Sequence, residues 1–334
     1  MRTMLILLVL SLAVFPAGAG VASAADPDTS ALEHRTEDAS APVVYMTRNI
    51  TPEGLMAACK ALEWTPSGRV AVKVSTGEPP SSNYLRPALI KDVVQLVKGV
   101  IVECNTAYGG ARGDAARHRK VAEEHGFTAI ADLDIMDEEG SMELPVAGGQ
   151  VLKGNLVGSH FKDYGSFLVL SHFKGHAMAG FGGAIKNISI GIASRSGKLR
   201  LHSGGRSDTE WMSGDQIGFL EAMAEAGKSV SDALDQGRNI TYINVMNRLS
   251  IDCDCDGNPA EPDIHDIGVL SSHDPVALDQ ACLDLINVAE GNAAFVERVK
   301  DRQGVHTLEH AEKIGLGSRA YRLVDLDSPA AAKQ

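Results

Sequence analysis

From residue 42 onward the chain alternates short apolar runs with longer stretches in which apolar residues recur every three or four positions. The runs at 43–46, 70–74, 100–104, 129–133, 167–170, 188–192, 240–245 and 267–270 carry few polar residues and read as strands covered on both faces. Helical patterns occupy 86–98, 111–125, 215–235 and 275–288. Two helix starts are written out. Thr51-Pro52-Glu53 puts cap, first-turn proline and acid in order, and Asp274 precedes Pro275 in the same way. Alternating strands and helices predict an α/β fold, a mostly parallel sheet flanked by helices. The glycines near 148–158 mark a break that allows two lobes within one domain spanning 42–327, with a tail at 328–334.

The N-terminus follows another rule. Arg2 precedes an apolar run at 4–15, Pro16 and Gly18 break it, and small residues at 22–25 offer a cleavage site. Residues 1–25 therefore read as a secretory signal peptide, too short in its apolar part for the roughly 20 residues of a membrane span. The expected location is periplasmic or extracellular, with no span left after cleavage. Residues 26–41 are polar and aperiodic and read as a flexible leader.

The 334 residues are 44% hydrophobic and 22% charged, enough for a sizeable core. Lys plus Arg number 31 against 43 acids, a net charge of −12. An acidic chain without a basic cluster is a poor nucleic-acid binder, so the expected partner is a small-molecule ligand or cofactor. The five cysteines are an odd number, so at least one stays free, binds metal or pairs between chains.

Candidate chemistry concentrates in SHFKGHAMAGFGGAIKN, 171–187. It holds His172 and His176 four apart, Lys174, Lys186 and Asn187, with Gly180, Gly182 and Gly183 among its glycines. Glycines allow a ligand close to the backbone, and a Gly-rich turn can present N–H groups to an anion. The two histidines read either as metal ligands or as structural hydrogen-bonding groups. Ligands of open α/β sheets lie beyond the carboxyl ends of strands, where this segment falls. Lys73 with Glu78, and Cys104-Asn105-Thr106, also follow apolar runs and extend the candidate cofactor site to Lys73 and Asn105. A second constellation, DCDCDGNPAEPD at 252–263, sets Cys253 and Cys255 among carboxylates. It reads as a thiophilic or mixed-ligand metal site, a C-x-C disulfide or a polar turn. GIASRSGK at 191–198 fails as a phosphate loop, having one residue too many and Leu199 where Ser or Thr is needed. No G-x-S-x-G occurs.

The stretches KVSTGEPPSSNYLRP, CNTAYGGARGDAARH, LVLSHFKGHAMAGFGGAIKNISIGIASRSGKLRLHS, DCDCDGNPAEPDIHDIGVLSSHDPVALDQACLDLIN and HAEKIGLGSRAYRLVDLD resemble the uncharacterised iron–sulfur centre protein family, domain-of-unknown-function family 362. The resemblance runs in order over 43–327. Many members of that family insert a ferredoxin module after the histidine-serine pair. Here GGRSDTEWMSGDQ follows His202-Ser203 directly, and no four-cysteine run exists, which argues against a [4Fe–4S] cluster.

GHAMAGFGGAIKN also looks like the H-x-x-A-G-x-x-G-G-x-K segment of the lactate racemase family, which uses a nickel-pincer nucleotide tethered to a lysine. That similarity implies an acid/base role for His176, tethering at Lys186 and nickel ligation at His202.

These readings converge on an exported protein that binds a metal or cofactor, with redox or proton-transfer chemistry. Catalysis is expected at His176, Lys186 and Lys174. Metal ligation is expected from His172, His202, Cys253 and Cys255. The alternatives are a non-catalytic metal or small-ligand carrier and a pincer-type racemase. The substrate, the metal and the oligomeric state are not legible, nor is whether the Cys253–Cys255 loop meets the histidine segment.

Overall fold

The structure is a computed structural model that describes residues 28–212 and 214–328. The expected signal peptide and all but one residue of the expected tail lie outside the described residues.

In chain order the elements are β1 (Val43–Thr47), α1 (Pro52–Ala61), β2 (Val70–Lys73), α2 (Pro87–Leu96), β3 (Val100–Glu103), α3 (Ala115–Glu124), β4 (Leu133–Ile135), β5 (Ser141–Pro145), β6 (Gly154–Gly158) and β7 (Ser166–His172). There follow β8 (Lys174–His176), β9 (Gly180–Gly182), α4 (Ala184–Ser189), α5 (Arg195–His202), α6 (Gln216–Ala233), β10 (Ile240–Met246), β11 (Gly268–Ser272), α7 (Pro275–Val288), α8 (Ala293–Asp301), α9 (Val305–Lys313) and β12 (Arg322–Asp325).

Eight strands form one sheet in the order β12-β1-β11-β10-β7-β2-β3-β4. β11 runs antiparallel to both neighbours, and all other pairings are parallel. Every residue of β7 is buried, because alternate side chains enter opposite cores. Phe167 and Val169 pack with α4 and α7 residues such as Ile185, Ile188 and Val276. Leu168 and Leu170 pack with Leu55, Ile90 and Ala122 of α1, α2 and α3. α6 lies outside the first of these layers, against α4 and α9. The mostly parallel α/β reading therefore holds.

Two strand expectations change. Residues 188–192 are buried but form the end of α4 and the turn after it, not a strand. A short apolar run does not distinguish buried helix from buried strand, and Asp279 takes the first amides of this one as a helix start. The strand expected at 129–133 lies instead at Leu133–Ile135, after a 3-10 turn. The glycines near 148–158 flank the β5–β6 hairpin. They do not divide the sheet, since strands from before and after them interleave, β7 sitting between β10 and β2. Residues 28–41, expected to be a flexible leader, lie against the body. Leu32 joins the core, and His34 Nδ1 is 3.1 Å from the buried carboxylate of Asp284.

One buried carboxylate ties the layers beside the cleft. Asp279 of α7 accepts from the Ala184 and Ile185 amides at 2.7 and 3.0 Å and from Asn244 Nδ2 at 2.7 Å. A Cβ on Gly183 would lie 2.2 Å from Asp279 Oδ1, so the glycine is there for close approach. Burial pushes this carboxyl up to about 6, against the three donors that favour its ionised form.

Asp279→Asn turns an amide NH2 towards backbone donors and should cost about 1–3 kcal/mol in urea unfolding. The folded carboxyl titrates above its unfolded value of about 3.9. Its pH-linked stability is therefore fully present below that value and lost as pH rises through about 6. The gap between wild type and the non-titrating variant should be wider at pH 5 than at pH 7.5. An unchanged gap would contradict this account.

Candidate functional site

Four parallel strands end together at the carboxyl edge of the sheet. Lys73 closes β2, Glu103 closes β3, His172 closes β7, and β10 runs on into the loop that carries both cysteines. From β2 the chain builds outwards through β3 and β4, then returns to place β7 on the other side of β2. The crevice at such a reversal is the usual place for a ligand. A cleft of about 270 Å³ lies here, lined among others by Lys73, Tyr108, His176, Lys186, His202, Trp211, Cys253 and Cys255.

The cysteine loop does fold onto the histidine segment, and Asp254 between the two cysteines holds it there. Asp254 Oδ1 is 2.7 Å from His172 Nδ1, Oδ2 is 3.3 Å from Lys174 Nζ, and its carbonyl accepts from the Glu78 amide at 2.8 Å. Burial opposes ionisation of Asp254, but Lys174 and His172 beside it hold its carboxyl below the ordinary value. His172 Nε2 meets the Asn247 carbonyl at 2.6 Å. Both its ring nitrogens thus face oxygen acceptors, and His172, expected as a metal ligand, anchors the cysteine loop in this structure.

His176 is the histidine that stands beside the two cysteines. The donor atoms of His176, Cys253 and Cys255 all lie within 4.8 Å of one another, and this is the only group of its kind among the described residues. His176 Nδ1 accepts from the Met178 and Ala179 amides at 3.2 and 2.9 Å, which leaves Nε2 to carry the proton and meet Cys253. Burial, then Lys186, lowers the His176 pKa and keeps the ring neutral. The two sulfurs are 2.7 Å apart, and the Cys255 thiol donates to Cys253. That bond, followed by Lys186 and His176, draws the Cys253 thiol well below its ordinary range despite burial. Cys255 moves the other way. The two thiols are therefore unequal, Cys253 the more acidic and Cys255 the less.

Around it stand cations. Lys186 Nζ is 3.8 Å from Cys253 Sγ. Lys198, buried, has the Ala193 carbonyl at 2.5 Å and, among the described residues, no carboxylate within ion-pair distance. Lys73 is fully buried with Glu103 at 2.9 Å, and the Val74 carbonyl also takes its ammonium group. Burial would raise Glu103, but Lys73, His118 and Arg112 hold it down at about 2. Lys174 is spent on the His172 carbonyl at 2.6 Å and on Asp254. These contacts position the loop, and Lys174 also lines the cleft.

His202 lines the same cleft. Its Nδ1 faces the Lys198 carbonyl at 2.6 Å, and burial pushes it down to about 3, so the neutral ring keeps an Nε2 lone pair. Phe219 stacks on this ring, and Trp211 lies 4.3 Å away, centroid to centroid.

The remaining expected site residues divide. Asn187 lines the cleft and ties α4 to β7, donating to the Leu170 carbonyl and Ser171 Oγ. Gly183 lines the cleft too, while Gly182 packs against the Lys186 side chain. Gly180, at φ +82°, packs on Val299 and Gly304, away from the cleft. Asn105 is turned onto Asp137, 3.0 Å away, and is not a lining residue. Tyr108 and Arg112, which donates to Tyr108 Oη at 2.9 Å, join the cleft without having been expected. Their place just after β3 was the available signal.

A profile of the family described as "Domain of unknown function (DUF362)" matches residues 70–284. No curated protein matches the chain. Among solved structures, the chain is similar to the lactate racemase apoprotein from Thermoanaerobacterium thermosaccharolyticum, at 14% identity and a TM-score of 0.43, covering 72% of this chain and 56% of that one. It is also similar to a Thermotoga maritima structural-genomics protein, at 11% identity and a TM-score of 0.39, covering 79% and 59%. In both cases it spans less than two thirds of the other protein.

Alkylation of Cys253, read by peptide mass spectrometry against pH, should reach half-rate well below the 9.0 of an ordinary thiol. Cys255→Ala removes the main donor to the thiolate and should move that midpoint up by about one unit or more, since a hydrogen bond to charge contributes about 1.5–3 kcal/mol. Identical midpoints in the two proteins would show that Cys255 does not set the Cys253 charge.

Proposed function

The chain belongs to the DUF362 family, and for this member we propose a metal- or cofactor-binding protein that works on a small anionic ligand at a centre made by Cys253, Cys255 and His176. The observation that carries the reading is the convergence of these three donors on the cleft floor. Two sulfurs and one imidazole suit a soft or borderline transition ion and not Mg²⁺ or Ca²⁺, which prefer oxygen. Three protein donors facing a cleft leave a position for a ligand, the pattern of catalytic rather than structural sites. A bound ion would supply Lewis-acid or redox chemistry there.

The chain's own residues do the rest. Cys253 offers a ready thiolate. Cys255 must lose its proton to ligate, and His176 would ligate through Nε2 once its ring proton moves to Nδ1 and the Met178 and Ala179 amides turn away. Binding therefore tightens as pH rises. Lys186 faces the Cys253 sulfur, whereas Lys198 has no carboxylate partner among the described residues, and a buried cation without counter-charge is costly. A carboxylate or phosphate on the ligand would complete Lys198. Lys73 is already balanced by Glu103 and keeps that wall rigid. We place the mature protein outside the cytoplasm, on the strength of the apolar run at 4–15 and the small residues that follow it.

A second reading, a dithiol–disulfide couple, draws on the 2.7 Å between the sulfurs and the thiolate character of Cys253.

The reduced chain should bind Co²⁺ with a thiolate-to-cobalt charge-transfer band, more tightly at pH 8 than at pH 6. Cys253→Ser and Cys255→Ser should each abolish the band. No band in the fully reduced wild type, together with oxidant closing a Cys253–Cys255 bond, would reject metal binding and leave the dithiol reading.

A further inference from the structure

A second cluster of ligating side chains lies away from the cleft, where α6 packs on α9. α9 carries His306-Thr307-Leu308-Glu309-His310, so two histidines sit one turn apart with a glutamate before the second. H-x-x-E-H is the inverted form of a zinc-hydrolase signature, and its mechanics need both histidines on one helix face. α6 presents Glu221 and Glu225 with the same spacing.

The side chains meet. Glu221 Oε1 is 3.1 Å from His306 Nε2 and 3.5 Å from His310 Nδ1. The other nitrogen of each ring faces a different carboxylate: His310 Nε2 is 3.3 Å from Glu225 Oε1, and His306 Nδ1 is 3.7 Å from Glu309 Oε2. Glu225 is itself fixed, taking the amides of Gln150, Val151 and Leu152. Histidines that ligate metal are held in this way, by a carboxylate on the far nitrogen. A cavity of about 240 Å³, lined in part by His306 and Glu309, opens beside the cluster.

We propose that His306, His310 and Glu221 form a second site, for a divalent zinc-type ion, with Glu225 and Glu309 as positioning residues. Two imidazoles and a carboxylate are the donor set of catalytic zinc sites, which keep a fourth position for water. The donors of His306, His310 and Glu221 do not all lie within 4.8 Å of one another, so the partly exposed His306 would have to turn towards His310 for the three to close on an ion. The site is independent of the cysteine centre and uses none of its residues.

The test is calorimetric titration of the chelator-treated full chain with Zn²⁺, run also in a Cys253→Ser/Cys255→Ser chain. The double-serine chain should retain one equivalent. Adding His306→Ala or Glu221→Gln should remove it, with cysteine reactivity in the otherwise wild-type chain unaltered. Both positions are partly exposed, so these variants keep the fold, which circular dichroism would verify. Glu225→Gln should weaken binding by about 10–100-fold. An equivalent that survives His306→Ala and Glu221→Gln would overturn the proposal, and so would a double-serine chain that binds no Zn²⁺ while folded.

Discussion

The functional half of the molecule depends on the buried Asp254 carboxylate. It stands between Cys253 and Cys255 and reaches across to His172 and Lys174, which flank the end of β7. Backbone contacts such as Gly175 N–H to the Ser250 carbonyl and Ser81 N–H to the Gly257 carbonyl also hold the loop after β10. A buried ion pair is poor support for overall stability, because desolvation offsets its attraction, but it is effective at selecting one arrangement. Here it selects the arrangement that brings the sulfurs to His176. The burden on His172 follows directly. Its two ring nitrogens meet Asp254 and the Asn247 carbonyl.

The cleft inherits an asymmetry of charge from the strands that build it. Lys73 and Glu103 leave adjacent strands and neutralise each other inside the wall. Lys174 is consumed by Asp254. Lys186 and Lys198, on the helices that follow the Gly-rich turn, have no carboxylate partner among the described residues. Lys186 stands beside the Cys253 sulfur, so under the proposed function Lys198 is the cation that a ligand's negative charge would meet. Asp279 contributes from below, since the close approach it demands at Gly183 sets where α4 starts and so where Lys186 points.

Much of the frame was legible because it is local. The α7 boundary follows from Asp274 and Pro275, and Asp274 does accept from the Val276 and Ala277 amides. The fully buried strands β2, β3, β7, β10 and β11 announce themselves as apolar runs. What stayed hidden was tertiary. His172 and Asp254 are 82 positions apart, so no spacing rule joins them. The run at 188–192 was ambiguous because it is apolar all round, and only Asp279, reaching in from α7, makes it the end of a helix. The exchange of roles between His172 and His176 turns on hydrogen-bond partners that sequence does not carry. The pairing of α9 with α6 is likewise distant, although H-x-x-E-H itself stands in the chain.

The most direct measurement is X-ray absorption at the metal edge of chain purified from its native source without chelator. The account predicts an ion with a sulfur shell at about 2.3 Å from two scatterers and a nitrogen shell at about 2.0–2.1 Å. A shell of oxygen and nitrogen alone would contradict it, because the ion would then lie away from Cys253 and Cys255.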